Sequence, residues 1–299
     1  MRVLRTPDER FASLPDFAFE PHYVDVDDGD GATIRVHYLD AGPSDGEVVL
    51  LMHGEPSWSF LYRTMIPVLV DAGLRCVAPD LVGFGRSDKP TDFDWYSYDR
   101  HTELAATLLA DLDLRDATVV VHDWGGPIGL RCAVEHPDRI SRIVIMDTGL
   151  FTGEQPMAEA WFRFRNFVER TEDLPISMLV RNACARGMED DVAAAYDAPF
   201  PTPESKAGAR AFPLILPTSP EMPGAAAGKR ALEALRGDGR PTLVLWADSD
   251  PVLPFKVGEA FAELIGADAP RRIDNASHFL QEDAGQEIGG LIAGWLAER

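Results

Sequence analysis

The chain has 299 residues, and 28 Lys+Arg against 49 Asp+Glu leave a formal net charge of −21. A chain of this length accommodates one large domain or two smaller ones and buries enough surface to need no disulfide or metal staple. It lacks the clustered Lys/Arg that a phosphate-tracking groove requires, so nucleic acid is excluded as an expected partner. In chain order, short apolar runs read as strands at His22–Val26, Ile34–Leu39, Val48–Met52, Arg75–Ala78, Thr118–Val121, Arg142–Met146, Leu243–Trp246 and Arg271–Ile273. The continuous apolar run Val48–Met52 suits a strand buried on both faces, as in a parallel sheet. Helical periodicity falls between these runs. It covers Tyr98–Leu114, with Leu104, Leu108 and Leu112 on one face, then Gly125–His136, then about Gln281–Trp295.

One stretch breaks the alternation. Between Asp147 and Arg240 the strand signal disappears, and helical pieces such as Met157–Glu169 and Asp190–Tyr196 replace it. Seven prolines between Pro199 and Pro223 prevent one long helix there. The expected architecture is therefore α/β, a mostly parallel, doubly wound sheet with an inserted helical cap. Residues 1–149 and 231–299 form its core, and residues 150–230 its lid. The lid would sit over the C-terminal edge of the sheet, where open α/β sheets bind ligands.

The segment Val121-His122-Asp123-Trp124-Gly125-Gly126 lies where a buried strand meets a helix. A sharp bend there would push Asp123 out of the turn, in the manner of a G-x-Nuc-x-G elbow with Val121 in place of the first Gly. An Asp so placed is otherwise a helix N-cap. Chain order argues against that: Asp250 and His278 follow later strands, giving the nucleophile–acid–His order of the α/β-hydrolase triad. His53-Gly54-Glu55-Pro56 follows the buried strand Val48–Met52. Its Glu55 amide, with that of Trp124, would form an oxyanion hole, while His53 braces the loop.

The segments HGEPSWSFLYR (53–63), PDLVGFGRSDKP (79–90), HDWGGPIGLR (122–131), AAYDAPFP (194–201) and ASHFLQED (276–283) together resemble the haloalkane dehalogenases, most nearly the branch with an Asp–His–Asp triad. The resemblance implies an α/β-hydrolase fold and cleavage of carbon–halogen bonds in small haloalkanes. Asp123 would form a covalent alkyl ester, and His278, oriented by Asp250, would activate the water that hydrolyses it. It also implies that Trp124 donates its indole N–H to the departing halide. A second halide-binding Trp normally comes from the lid. That place holds Phe164, with Trp161 one helical turn earlier as the alternative. Asp147, at another strand end, is the alternative triad acid. Phe151, Phe162, Phe164 and Val252 are expected to line the pocket.

Other readings use the same elbow. An epoxide hydrolase would polarise its substrate with two lid tyrosines, but Tyr196 is the only tyrosine in the lid. A haloacetate dehalogenase would carry arginines where Trp124 and Pro127 stand. A hydrolase-fold binding protein without turnover is the non-enzyme reading. No organic cofactor and no metal are expected, since the phosphate-binding Gly loop and metal-ligand spacing are missing. Three cysteines, Cys76, Cys132 and Cys184, form no C-x-x-C pair, and the N-terminus has no apolar signal region. A cytoplasmic monomer or small homo-oligomer, without a membrane partner, is the expectation.

Overall fold

The structure is a computed structural model describing residues 2–299. The first half contains β1 (Val3–Leu4), β2 (His22–Asp27), β3 (Thr33–Ala41), β4 (Val48–Met52), α1 (Ile66–Asp71), β5 (Arg75–Pro79), β6 (Lys89–Pro90), α2 (Tyr98–Asp111), β7 (Ala117–His122), α3 (Gly125–Glu135) and β8 (Ile140–Met146). Five helices follow before the next strand: α4 (Glu159–Arg170), α5 (Ile176–Asn182), α6 (Asp190–Asp197), α7 (Ala207–Ile215) and α8 (Ala225–Arg236). The chain closes with β9 (Thr242–Ala247), α9 (Phe255–Ile265), β10 (Arg271–Ile273) and α10 (Leu280–Ala297).

Eight strands form one sheet in the order β10-β9-β8-β7-β4-β5-β3-β2. Pairing is parallel from β10 to β5, and β3 runs antiparallel to both its neighbours. β4 and β7, at the centre, are buried almost throughout, which is why both read as unbroken apolar runs. β1 and β6 make a separate antiparallel pair that ties the N-terminus to the loop after β5. Periodicity carried too weak a signal to show this two-residue pair.

Each of the eight strands expected from sequence is present, generally one or two residues longer than expected. α2 ends at Asp111 rather than Leu114, because Asp113 turns the chain through φ 44°. Ser97 caps its other end, accepting from the Arg100 N–H. The proline-rich stretch still builds helix. α7 carries Pro213 near its C-terminal end, and α8 packs against α3 of the sheet's own helical layer. The expected core–lid boundary at residues 230 and 231 therefore falls inside α8.

Asp80, at the end of β5, is fully buried and joins three segments. It accepts from the amides of Ser59 and Arg86, each at 2.8 Å, and pairs with His37 Nδ1 at 2.7 Å. Burial opposes its charge, but His37, His53 and the amide bonds hold the carboxyl well below the usual range. This hub fixes the loops that follow β4 and β5 at the edge of the sheet where β7, β9 and β10 also end.

Candidate active site

Asp123 follows β7 directly, in the left-handed region with φ 46°. That conformation is strained for a non-glycine residue. Thr148 Oγ1 pins it by donating to the Asp123 carbonyl at 2.6 Å. Opposite, the Glu55 N–H donates to Asp123 Oδ1 at 2.7 Å, and the Trp124 N–H adds support. The loop approaches so closely that a Cβ on Gly54 would lie 2.2 Å from Asp123 Oδ1 and 2.6 Å from Trp124 N. His53 braces this loop: its Nε2 accepts from the Leu81 N–H at 2.9 Å, so Nδ1 carries the hydrogen and donates to the Gly54 carbonyl, also at 2.9 Å.

His278 lies beyond β10, with Nε2 3.5 Å from Asp123 Oδ2. Its Nδ1 donates to Asp250 Oδ2 at 2.7 Å. Asp250 Oδ1 accepts from the amides of Val252 and Leu253, at 2.7 and 3.0 Å. The three residues named from chain order thus meet at one edge of the sheet. Asp147, the alternative acid, has its Oδ1 on the Ala247 N–H at 2.9 Å and no bond to His278. Asp248 accepts instead from the Ala276 N–H.

The loop carrying His278 is fastened by groups that the sequence reading passed over. Asp283 accepts from Ser277 N–H, Ala185 N–H and Arg186 N–H at 2.7–2.9 Å, joining the loop to the segment after α5. Glu282, Arg63 and Tyr196 form a buried cluster beside it. Both acids stand in the ASHFLQED segment, where only the histidine was read for function.

The charges follow from these contacts. Burial disfavours ionised Asp123, but the hydrogen bond and charge of His278 outweigh it and keep the carboxyl below its ordinary value. Burial likewise disfavours an imidazolium, yet Asp250 and Asp123 together raise His278 well above the usual histidine range. Both carboxylates therefore favour the charged form of the His278 ring that lies between them. His122 is different. Its Nε2 donates to the His278 carbonyl at 2.7 Å, and burial followed by the His278 charge lowers it to about 4, so it stays neutral. The Glu55 side chain also lines the site, its carboxyl pushed well above the ordinary value by burial and then by Asp123.

In front of Asp123 lies an apolar cavity of about 140 Å³ whose wall includes Trp124, Trp161, Phe164, Leu179, Val252 and Phe279. A smaller one of about 40 Å³ shares Asp123, Trp124, Trp161 and Val252 and adds Phe151. Three of the four expected lining residues are here. Phe162 is the exception: it is 43% exposed and borders neither cavity. On α4 the inward stripe is Trp161, Phe164 and Val168, and position 162 turns off that face. The indoles of Trp95 and Trp246 donate to Asp28 and to the Leu253 carbonyl, whereas those of Trp124 and Trp161 have no protein partner among the described residues.

Residues 47–285 match the family described as alpha/beta hydrolase fold. A haloalkane dehalogenase of Mycolicibacterium paratuberculosis is 46% identical over 296 residues, 99% of this chain and 98% of that protein. One from Psychrobacter cryohalolentis is 42% identical over 99% of this chain and 98% of its own length. Among solved structures, the tetrameric haloalkane dehalogenase DpaA from Paraglaciecola agarilytica superposes with a TM-score of 0.91 at 38% identity, covering 97% of each chain.

Because a methyl group at position 54 would collide with the carboxylate, Gly54→Ala is expected to displace Asp123 and reduce turnover at this site by about 10²-fold. Far-UV circular dichroism should remain that of the parent. Undiminished turnover would show that the backbone yields and that the close approach is not required.

Proposed function

The chain belongs to the haloalkane dehalogenase family, and we propose that it hydrolyses small haloalkanes to alcohol, halide and a proton through an ester on Asp123. The observation that carries this reading is the division of labour between the two Asp123 oxygens. Oδ1 is held by the Glu55 amide, and Oδ2 faces His278 and the cavity. Oδ2 attacks the halogen-bearing carbon, the carbon–oxygen bond forms as the carbon–halogen bond breaks, and the halide leaves with the electron pair. Esterification removes the Asp123 charge and with it part of what kept His278 protonated. The imidazole then releases its proton to solvent, which is the proton of the overall products, and takes one from water as that water attacks the ester carbonyl carbon. Oδ1 becomes the oxyanion, already seated on the amide that positioned it. Collapse frees the alcohol and restores Asp123.

The halide needs oriented N–H donors in an apolar chamber. We assign them to Trp124 and Trp161, which border both cavities, rather than to Phe164, which lacks an N–H and borders one. The main chamber, about 140 Å³, is close to the ~150 Å³ apolar cavity that holds one benzene, so short haloalkanes fit. Residues 150–224 act as its lid, α8 packing with the core against α3. Against epoxide hydrolysis, Tyr196 is fully buried with its hydroxyl on Glu282 and does not reach the chamber. Among the described residues no helix is long and apolar enough to cross a membrane, and all three cysteines are free, in keeping with the reducing cytoplasm proposed as its compartment.

With His278→Gln and 1-bromobutane, halide release is expected to stop at one equivalent per protein, and mass spectrometry should find Asp123 carrying a butyl group. Diol formation from epoxides by the parent, without halide release from bromoalkanes, would contradict the reading. Trp161→Phe should weaken bromide binding at least about tenfold, measured by fluorescence quenching. An unchanged affinity would remove Trp161 from the halide site.

A further inference from the structure

Asp147 is a buried acid that the proposed chemistry does not use. It follows β8 directly, with φ 36°, and its side chain is inaccessible to solvent. Oδ1 is satisfied by the Ala247 N–H, but Oδ2 has no partner. A ligating atom of Asp147, one of Asp250 and one of His278 all lie within 4.8 Å of one another. A carboxylate has about four lone-pair sites. Asp250 fills three of them, two with the amides of Val252 and Leu253 and one with His278 Nδ1.

Two carboxylates this close, both out of water, do not ionise together. Asp250 is the one whose charge is matched, so the proton belongs on the other. We propose that Asp147 is a neutral carboxylic acid whose Oδ2–H donates to the remaining lone pair of Asp250, making it a positioning residue for His278. The role for His278 rests on the dehalogenase reading, whereas the protonation of Asp147 does not. Burial, and next the charge of Asp250, push the Asp147 carboxyl well above its ordinary value, in line with this assignment. The ionisable groups that face it are Asp250 beyond β9 and His278 beyond β10. The shared proton draws charge from Asp250 and so moderates the basicity of His278.

Asp147→Asn keeps a donor at this place and tolerates the left-handed backbone. The infrared spectrum of the parent minus that of this variant, at pH 7.5, is expected to show the carbonyl stretch of a protonated carboxylic acid. Folding of the parent also requires Asp147 to keep its proton above pH ~4, where the unfolded chain loses it. The melting temperature of the Asn variant relative to the parent should therefore be higher at pH 9 than at pH 5. Neither reading depends on haloalkane turnover. In halide release, Asp147→Asn should retain kcat/KM within about threefold. Asp147→Ala, without a donor, should move the acid limb of the kcat profile to higher pH, and Asn should not. A difference spectrum without the acid band, a relative melting temperature independent of pH, or an acid limb displaced equally by Asn and Ala would overturn the proposal.

Discussion

A single imidazole set between two carboxylates governs this site. The charged form of His278 is favoured because Asp250 holds its Nδ1 at 2.7 Å and Asp123 lies 3.5 Å from its Nε2. Each partner favours the charged form of the other, against a burial that opposes both charges. A nucleophile that requires no deprotonation at neutral pH follows from this arrangement. In the proposed mechanism, consumption of the Asp123 charge also converts His278 from counter-ion to base.

The fold is organised to hold these charges still. β7, β9 and β10 deliver Asp123, Asp250 and His278 to one edge of the sheet, and β4 brings the Glu55 amide to the same place. The strained turn at Asp123 is held from both sides, by Thr148 and by the close loop at Gly54. Asp283 fastens the His278 loop to the helical segment above it. The surface carries most of the −21 net charge and offers no general attraction to an anion. Local N–H donors must therefore capture a leaving halide, which gives Trp124 and Trp161 their importance in the proposal.

Strands buried on both faces write continuous apolar runs, so β4 and β7 were legible from Val48–Met52 and Thr118–Val121. The order of Asp123, Asp250 and His278 was legible because each follows such a run. The lid was harder to read. Its helices bury only one stripe, and which side of α4 faces inward depends on partners distant in the chain, so Phe162 was placed in a pocket it does not reach. Pro213 was a stop signal in sequence, yet α7 accommodates it near the end of the helix. The state of Asp147 was illegible for a related reason. Nothing in its neighbouring residues reveals that Asp250 will be packed against it.

The direct test of this electrostatic account is an NMR pH titration of the His278 ring in the parent and in Asp123→Asn. The account predicts that the parent imidazole stays protonated well beyond the ordinary histidine value of ~6.5, and that its proton affinity falls at least about tenfold when the neighbouring charge is removed. A ring that titrates at the ordinary value, or one indifferent to the Asp123 charge, would contradict it.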